Sequence, residues 1–218
     1  MTKLALLFLL LAMPAFASST LTFTVLGIDC AACAAPITKI LRSVDGVTNV
    51  KLDWKAGRAT VDVPAGFDPS AIRKALSNGG YDAVFPGETR KDLEPLPANV
   101  IKSLDIVSHD GASKIDVATV VAAGKVTIVD YYADWCGPCH VLETRITHLM
   151  QGDSSIALRR VNIGKWDNAA AKQATAFGAE ALPYVRVYDA KGKFVTAVTG
   201  GMWDQMLAAV EKAKARRS

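Results

Sequence analysis

The four cysteines of this 218-residue chain form two CxxC pairs. The first pair is Cys30 with Cys33, and the second pair is Cys136 with Cys139. Two thiols at this spacing can exchange disulfides with another protein, chelate a soft metal ion, or close a static disulfide. Because the pairs stand about a hundred residues apart and no cysteine is left over, we expect two separate thiol sites.

The second pair has the surroundings that thiol exchange needs. Residues 126–132 are β-branched or aromatic apart from one acid, which predicts a central strand buried on both faces. The strand leads into the cysteines, and a helix follows them. The first sulfur then lies at a helix N-terminus, where free N–H groups and the helix dipole favour the thiolate. We therefore expect Cys136 to be the nucleophile and the more buried Cys139 to resolve the mixed disulfide.

Asp130 is the one acid in this apolar strand. If it is buried beneath the second pair, its pKa is raised and it can exchange protons with the Cys139 thiol through water. The alternative is that curvature of the strand exposes Asp130 to solvent. His140, directly after the second pair, is interpreted either as a solvated first-turn residue or as a group that tunes the site.

The first pair lies in the sequence Gly27-Ile-Asp-Cys-Ala-Ala-Cys33, again at a strand-to-helix turn. No tryptophan precedes Cys30, and no acid lies in its strand. Two thiolates on one loop favour a soft ion over a hard cation, and we predict Cu(I), with Hg(II) or Zn(II) as alternatives. A static disulfide is the other interpretation, although so short a loop constrains little chain.

The elements that position these cysteines fall into two domains. Residues 18–85 alternate between strand and helix periodicity in the order βαββαβ, which predicts a four-stranded antiparallel sheet with two helices on one face, a ferredoxin-like domain. Residues 86–99 gather proline and charge and are interpreted as a linker. Residues 100–218 mix strands and helices and predict a second α/β domain. The fold class is therefore α/β (α+β).

The sequence from Val126 through Trp135-Cys-Gly-Pro-Cys139 resembles the thioredoxin family, and the resemblance extends from about residue 100 to the C-terminus. Residues 178–189, around Leu182-Pro183, are similar to the family's loop opposite the active site. The resemblance implies a thioredoxin fold and places Trp135 in the active site. It also implies a cis peptide bond before Pro183 and pairing of the Leu182 backbone with a substrate strand.

The first pair, the βαββαβ order and the segment Gly79-Gly-Tyr81-Asp82 together resemble a heavy-metal-associated domain over residues 21–85. This segment is expected to bring Tyr81 near the first pair. The sequence is similar both to copper chaperones and to mercury-binding proteins. Ile28 stands where copper-binding members often have methionine, which leaves the choice of metal open.

Residues 1–17 are typical of a secretory signal peptide. Lys3 precedes a ten-residue apolar run, and Pro14 and Ala15-Phe-Ala17 follow it. A run of this length is too short for a lasting membrane anchor, so we expect an exported protein that begins near Ser18 and has no later membrane span. In a Gram-negative source the compartment is the periplasm; otherwise the protein is secreted. A buried N-terminal helix is the alternative.

The composition excludes several classes of function. With 50% hydrophobic and 21% charged residues, the chain is a folded protein. The formal charge of +4 owes much to basic residues in the last seven positions, which is typical of a solvated helix end, and we predict no nucleic-acid binding. The sequence has no phosphate loop or dinucleotide fingerprint, so no organic cofactor is expected.

These observations predict an exported thiol:disulfide oxidoreductase that carries its own soft-metal-binding domain. The expected partners are protein thiols and disulfides, the first pair of the same chain, and a metal-transport protein or metalloprotein. The alternative is a metallochaperone or metal scavenger whose second pair only keeps Cys30 and Cys33 reduced. A redox-inert scaffold with two static disulfides is a third hypothesis.

Overall fold

The computed structural model describes residues 18–217, which form two domains joined by a linker. The predicted signal peptide, residues 1–17, lies outside the described residues. No helix within residues 18–217 combines the length and the apolar character that a membrane span requires.

The N-terminal domain has the predicted order βαββαβ. Its elements are β1 (Ser18–Leu26), α1 (Ala34–Arg42), β2 (Thr48–Asp53), β3 (Arg58–Pro64), α2 (Ser70–Asn78) and β4 (Asp82–Val84). The strands form an antiparallel sheet in the order β2-β3-β1-β4. Apolar residues at helical spacing from both helices pack with alternate strand residues in one core: Ile37, Leu41, Ile72, Leu76, Phe23, Val25 and Val61. The ferredoxin-like prediction is confirmed.

The C-terminal domain is a five-stranded mixed sheet covered by helices. Its elements are α3 (Ala98–Ile101), β5 (Ile106–His109), α4 (Val117–Val120), β6 (Val126–Tyr132), α5 (Gly137–Gly152), β7 (Ile156–Asn162), α6 (Ala169–Ala176), β8 (Tyr184–Tyr188), β9 (Phe194–Thr199) and α7 (Trp203–Lys214). The strand order is β5-β7-β6-β8-β9, with β5, β7 and β6 parallel and β8 and β9 antiparallel. The predicted thioredoxin fold is confirmed.

Strand β6 occupies the centre of this sheet, and every one of its residues is buried. Val129 and Tyr131 belong to a core shared with α6, whereas Val126 and Ile128 belong to a core shared with α5 and α7. Successive side chains of a strand point to opposite faces, so the continuous apolar run in the sequence reflects burial on both sides. The second pair therefore follows directly after a strand that is buried on both faces of the sheet.

The linker is packed rather than extended. It contains a 3₁₀ turn, Lys91–Leu93, and its Arg90 guanidinium lies 3.3 Å from a carboxylate oxygen of Asp82 in the N-terminal domain. The carbonyl of Glu94 lies 2.8 Å from His148 Nε2 on α5. The sequence predicted only a spacer here, because such ties join single residues to distant elements and leave no periodic pattern.

Candidate active site

The second pair lies at the junction of β6 and α5. Cys136 has extended backbone and caps the N-terminus of α5, and Pro138 follows in the first turn. Cys136 and Cys139 are joined in a disulfide. Cys139 is fully buried, and Cys136 exposes only 4% of its surface. Trp135 is 55% exposed beside them, with its Nε1 donating to the carbonyl of Gly164 at 2.6 Å.

Asp130 is buried within β6 and is not exposed by strand curvature. Within residues 18–217 neither of its carboxylate oxygens has a hydrogen-bond partner. Burial raises the pKa of Asp130 to about 7, and the opposing effect of Arg160 is smaller. The group is therefore close to half-protonated near neutral pH, as a proton-exchanging acid needs to be.

Arg160 on β7 is a member of this site that sequence reasoning missed. Its Nε lies 3.9 Å from Asp130 Oδ2, while its Nη1 pairs with Glu143 at 2.7 Å and its guanidinium lies 3.7 Å from the Tyr132 ring centroid. Arg160 thus contacts two acids and a ring, and its lowering effect on the pKa of Asp130 is smaller than the raising effect of burial. His140 is exposed, with Nε2 3.0 Å from the Asp134 carbonyl.

The loop opposite the second pair has the geometry that the family resemblance implied. The Leu182-Pro183 peptide bond is cis, and Pro183 is buried. The Pro183 carbonyl accepts a hydrogen bond of 2.8 Å from the Gly200 amide, which ties this loop to the glycine pair Gly200-Gly201 after β9. The contact brings these two loops to one face of the domain.

The first pair lies on a short turn between β1 and α1. Cys33 ends a 3₁₀ turn that begins at Ala31, and the sulfurs of Cys30 and Cys33 lie 2.7 Å apart as free thiols. The hydrogen bond from Cys33 lowers the pKa of Cys30, whereas burial raises the pKa of Cys33. Both sulfurs are partly exposed, so they can converge on one ion that arrives from solvent.

Tyr81 packs beside the first pair, as the sequence predicted. A methyl group built on Gly27 would lie 3.3 Å from its ring, and burial together with the thiols raises the pKa of Tyr81 to about 12. Tyr81 therefore stays a neutral wall of the site. Among residues 18–217 no set of three or more Cys, His, Asp or Glu side chains forms a larger ligand cluster, so the donors on this turn are the two thiols.

Residues that flank the two thiol sites are in contact across the domain interface. The backbone of Gly27, at the start of the first CxxC turn, lies against Gly137, and a methyl group on Gly27 would lie 3.5 Å from the Pro138 nitrogen. Beside them, a methyl group on Gly201 would lie 3.0 Å from the Gly80 Cα and 3.4 Å from the ring of Pro183. The N-terminal domain thus covers the face on which the second pair and Pro183 lie.

Two family models match the chain, one in each domain. A heavy-metal-associated domain matches residues 22–82, and a thioredoxin domain matches residues 113–212. The mitochondrial thioredoxin-2 of Schizosaccharomyces pombe is 35% identical over 103 residues, which cover 47% of this chain and 71% of that protein. The chain belongs to the thioredoxin family. Membership in this family places the chain among thiol:disulfide oxidoreductases but does not specify an activity. The chain spans about half the length of the chloroplastic thioredoxins that it also matches.

Two further matches are a copper-transporting ATPase and a MerP structure. Copper-transporting ATPase 1 of Rhizobium meliloti is 33% identical over 91 residues, which cover 39% of this chain and 11% of that protein. The crystal structure of oxidized MerP from Ralstonia metallidurans CH34 is 28% identical with a TM-score of 0.31 and covers 32% of this chain and 99% of that chain. The match to the heavy-metal-associated model supports soft-metal binding by the N-terminal domain and leaves the ion open.

Proposed function

We propose that this protein is a thiol:disulfide oxidoreductase whose second pair reduces the first pair of the same chain. The reduced first pair then binds a soft metal ion as cargo. The observation that carries this proposal is the contact of Gly27, in the first CxxC turn, with Gly137, the residue after Cys136. Two thiol sites of different character therefore have flanking residues in contact within one molecule.

The exchange balances within the chain. The Cys136 thiolate attacks a sulfur of an oxidised first pair, forms a mixed disulfide with it, and releases the other sulfur as a thiolate. Cys139 then attacks Cys136, closes the Cys136–Cys139 disulfide and frees the second sulfur of the first pair. Two electrons and two protons pass from the second pair to the first. An external dithiol donor must reduce the second pair again before another cycle.

The surroundings of the second pair suit it for exchange. Cys136 and Cys139 are joined in a disulfide, and Cys30 and Cys33 are free thiols. Asp130, buried in the strand that leads into the second pair and with its pKa near 7, is the group that can hold the proton of the resolving thiol.

The metal is proposed from the chemistry of its donors. Two adjacent thiolates suit a soft ion, and ligation requires both thiols to be reduced and deprotonated. The match to a copper-transporting ATPase favours Cu(I), with Hg(II) or Zn(II) as alternatives. In an oxidising compartment Cys30 and Cys33 would form a disulfide and could then no longer bind the metal. A second pair on the same chain that reduces this disulfide would restore the two ligands.

Export is proposed from residues 1–17 alone. We expect the protein recovered from a cell that expresses the full sequence to begin near Ser18. Mass determination of the purified protein measures this, and recovery of a chain that keeps the apolar run would contradict export.

A soft-metal carrier or scavenger is the second candidate function. The observation that favours it is the low exposure of Cys136, which limits access by other protein disulfides. In that case metal handling is the function of the chain, and the second pair reduces no protein disulfide other than that of Cys30 and Cys33. Turnover of insulin disulfides, compared with transfer of Cu(I) to a chelator, separates the two functions.

The decisive experiment traps the mixed disulfide. In Cys139→Ser, Cys136 can attack the first pair but the adduct cannot be resolved. After mild oxidation at low protein concentration, peptide mapping should find Cys136 joined to Cys30 or Cys33 within one chain. A matched control that also carries Cys30→Ser and Cys33→Ser should give no such peptide. If only adducts between chains form, the two pairs do not exchange electrons and the proposal is wrong.

A further inference from the structure

We infer that Arg145 makes the active-site face of the C-terminal domain a docking surface for the N-terminal domain of the same chain. Docking there excludes the disulfides of other proteins from this face. The inference rests on the proposed function, since it names the partner that the second pair serves. Its observable is the accessibility of Cys136, which does not depend on exchange between the pairs.

The docking contact is centred on a buried ion pair between the domains. Arg145 lies on α5, two turns beyond Cys139, and is 6% exposed, while Asp82 opens β4 and is fully buried. The Arg145 guanidinium donates to the Asp82 carboxylate and, at 3.1 Å, to Ser77 Oγ at the end of α2. Its cation also lies 5.5 Å from the ring centroid of Trp203. Both charges are desolvated, so removal of either one leaves the other buried without its nearest counter-ion.

The linker contributes a second cation to this ion pair. Arg90 lies 3.3 Å from Asp82, and its other nitrogens pair with Asp92. Asp82 therefore receives one cation from α5 and one from the linker, which holds the N-terminal domain in a single orientation. A planar guanidinium with several donors is suited to such a fixed contact with a carboxylate.

The remaining contact selects for shape. Gly137, Gly80 and Gly201 are buried where the backbones of the two domains touch, and a side chain at any of them would meet atoms of the other domain. A substrate on this face must therefore bring a backbone edge without side chains, with a carboxylate placed to meet Arg145. The N-terminal domain provides both features on one edge.

The consequence is selective access. With the N-terminal domain docked, Cys136 is 4% exposed, whereas Cys30 and Cys33 remain partly exposed. A metal ion can reach the first pair while another protein cannot reach the second without displacing the N-terminal domain. Loss of Arg145 should uncover Cys136, because in the docked state Asp82 would stay buried with only the longer contact to Arg90 at 3.3 Å.

The test uses the full mature chain with Cys30→Ser and Cys33→Ser, so that no exchange between the pairs takes place. In this background we expect Arg145→Met to raise two rates by roughly tenfold: the alkylation of Cys136 by a bulky maleimide and the reduction of insulin. A tenfold change corresponds to about 1.4 kcal/mol of docking free energy. Arg73→Met is the matched control, because Arg73 pairs with Glu88 at 2.6 Å rather than with Asp82. That control should react at the rate of the parent.

A second variant approaches the pair from the other domain. Asp82→Asn should raise Cys136 alkylation as Arg145→Met does, with a cooperative thermal transition that excludes unfolding as the cause. Unchanged alkylation in a folded Arg145→Met protein would overturn the docking inference, even if the mixed disulfide of the proposed function is found. An increase in alkylation without any mixed disulfide would support docking and refute exchange.

Discussion

Gly137 lies against the backbone of Gly27, so the residue after Cys136 in one domain contacts the cysteine-bearing turn of the other. A methyl group on Gly137 would overlap the Gly27 carbonyl and lie 2.9 Å from Asp29 Oδ2. Gly137 itself has no positive φ and begins α5. The contact with the N-terminal domain, rather than backbone conformation, therefore requires a glycine at this position.

We predict that Gly137→Ala separates the domains while α5 stays intact. Alanine favours a helix over glycine by about 0.5–1 kcal/mol, so the substitution is not expected to unfold the C-terminal domain. Limited proteolysis should cleave the linker several times faster than in the parent. Gly152→Ala is the control at the other end of the same helix, where a methyl group meets nothing within 4 Å. Equal cleavage of all three proteins would refute the interdomain contact.

The local elements could be predicted from sequence because their signals are short-range. Strand β6 has the bounds that its apolar run indicated, and the two CxxC pairs lie at strand-to-helix turns as their flanking patterns predicted. Burial of Asp130 followed from its place in an apolar strand. Each of these features depends on residues that are close together in the sequence.

The interface could not be predicted, because its contacts join residues that are far apart in sequence. Arg145 and Asp82 are each unremarkable in their own segments, an arginine on a helix and an acid after a glycine pair. Only the docked fold makes them a buried pair. The same holds for Arg160, whose contact with Asp130 crosses from β7 to β6. Long-range pairing of this kind leaves no periodic signal.

We expect Cys30→Ser to abolish high-affinity binding of Cu(I) or Hg(II), which the reduced parent should bind at one ion per chain. Ligation needs two thiolates, and a single remaining thiol at Cys33 cannot chelate. Titration with metal analysis of the separated protein measures the stoichiometry, with the Thr38→Ser variant as a control nearby on α1. Full binding after Cys30→Ser would place the metal elsewhere.

Cys136→Ser should have the opposite profile. Disulfide exchange requires the Cys136 thiolate, so insulin reduction should fall to background, while metal binding by a pre-reduced first pair is unchanged. The two assays on the same preparation make each function the control for the other. Residual exchange above background would assign the nucleophile to another cysteine.

Asp130→Asn is predicted to slow exchange and stabilise the fold at the same pH. The pKa of Asp130 is raised to about 7 by burial, so the folded state binds a proton that the unfolded state, with a carboxyl pKa near ~4, releases. The stability that this protonated group contributes is present below about pH 4 and is lost as the pH rises through about 7. An asparagine carries no charge and escapes this loss.

At pH 8 the Asp130→Asn variant should therefore unfold at a higher temperature than the parent. Its free energy of unfolding should be larger by on the order of a few kcal/mol, and this difference should close toward pH 4. Exchange near neutral pH should slow roughly tenfold or more, because an amide cannot take the proton of the resolving thiol. Asp134→Asn is the matched control, since Asp134 is an exposed acid beside the same pair. Thermal melts across this pH range and stopped-flow exchange rates measure both effects. A stability difference independent of pH would show that Asp130 does not ionise in this range, and an unchanged rate would remove it from the proton path.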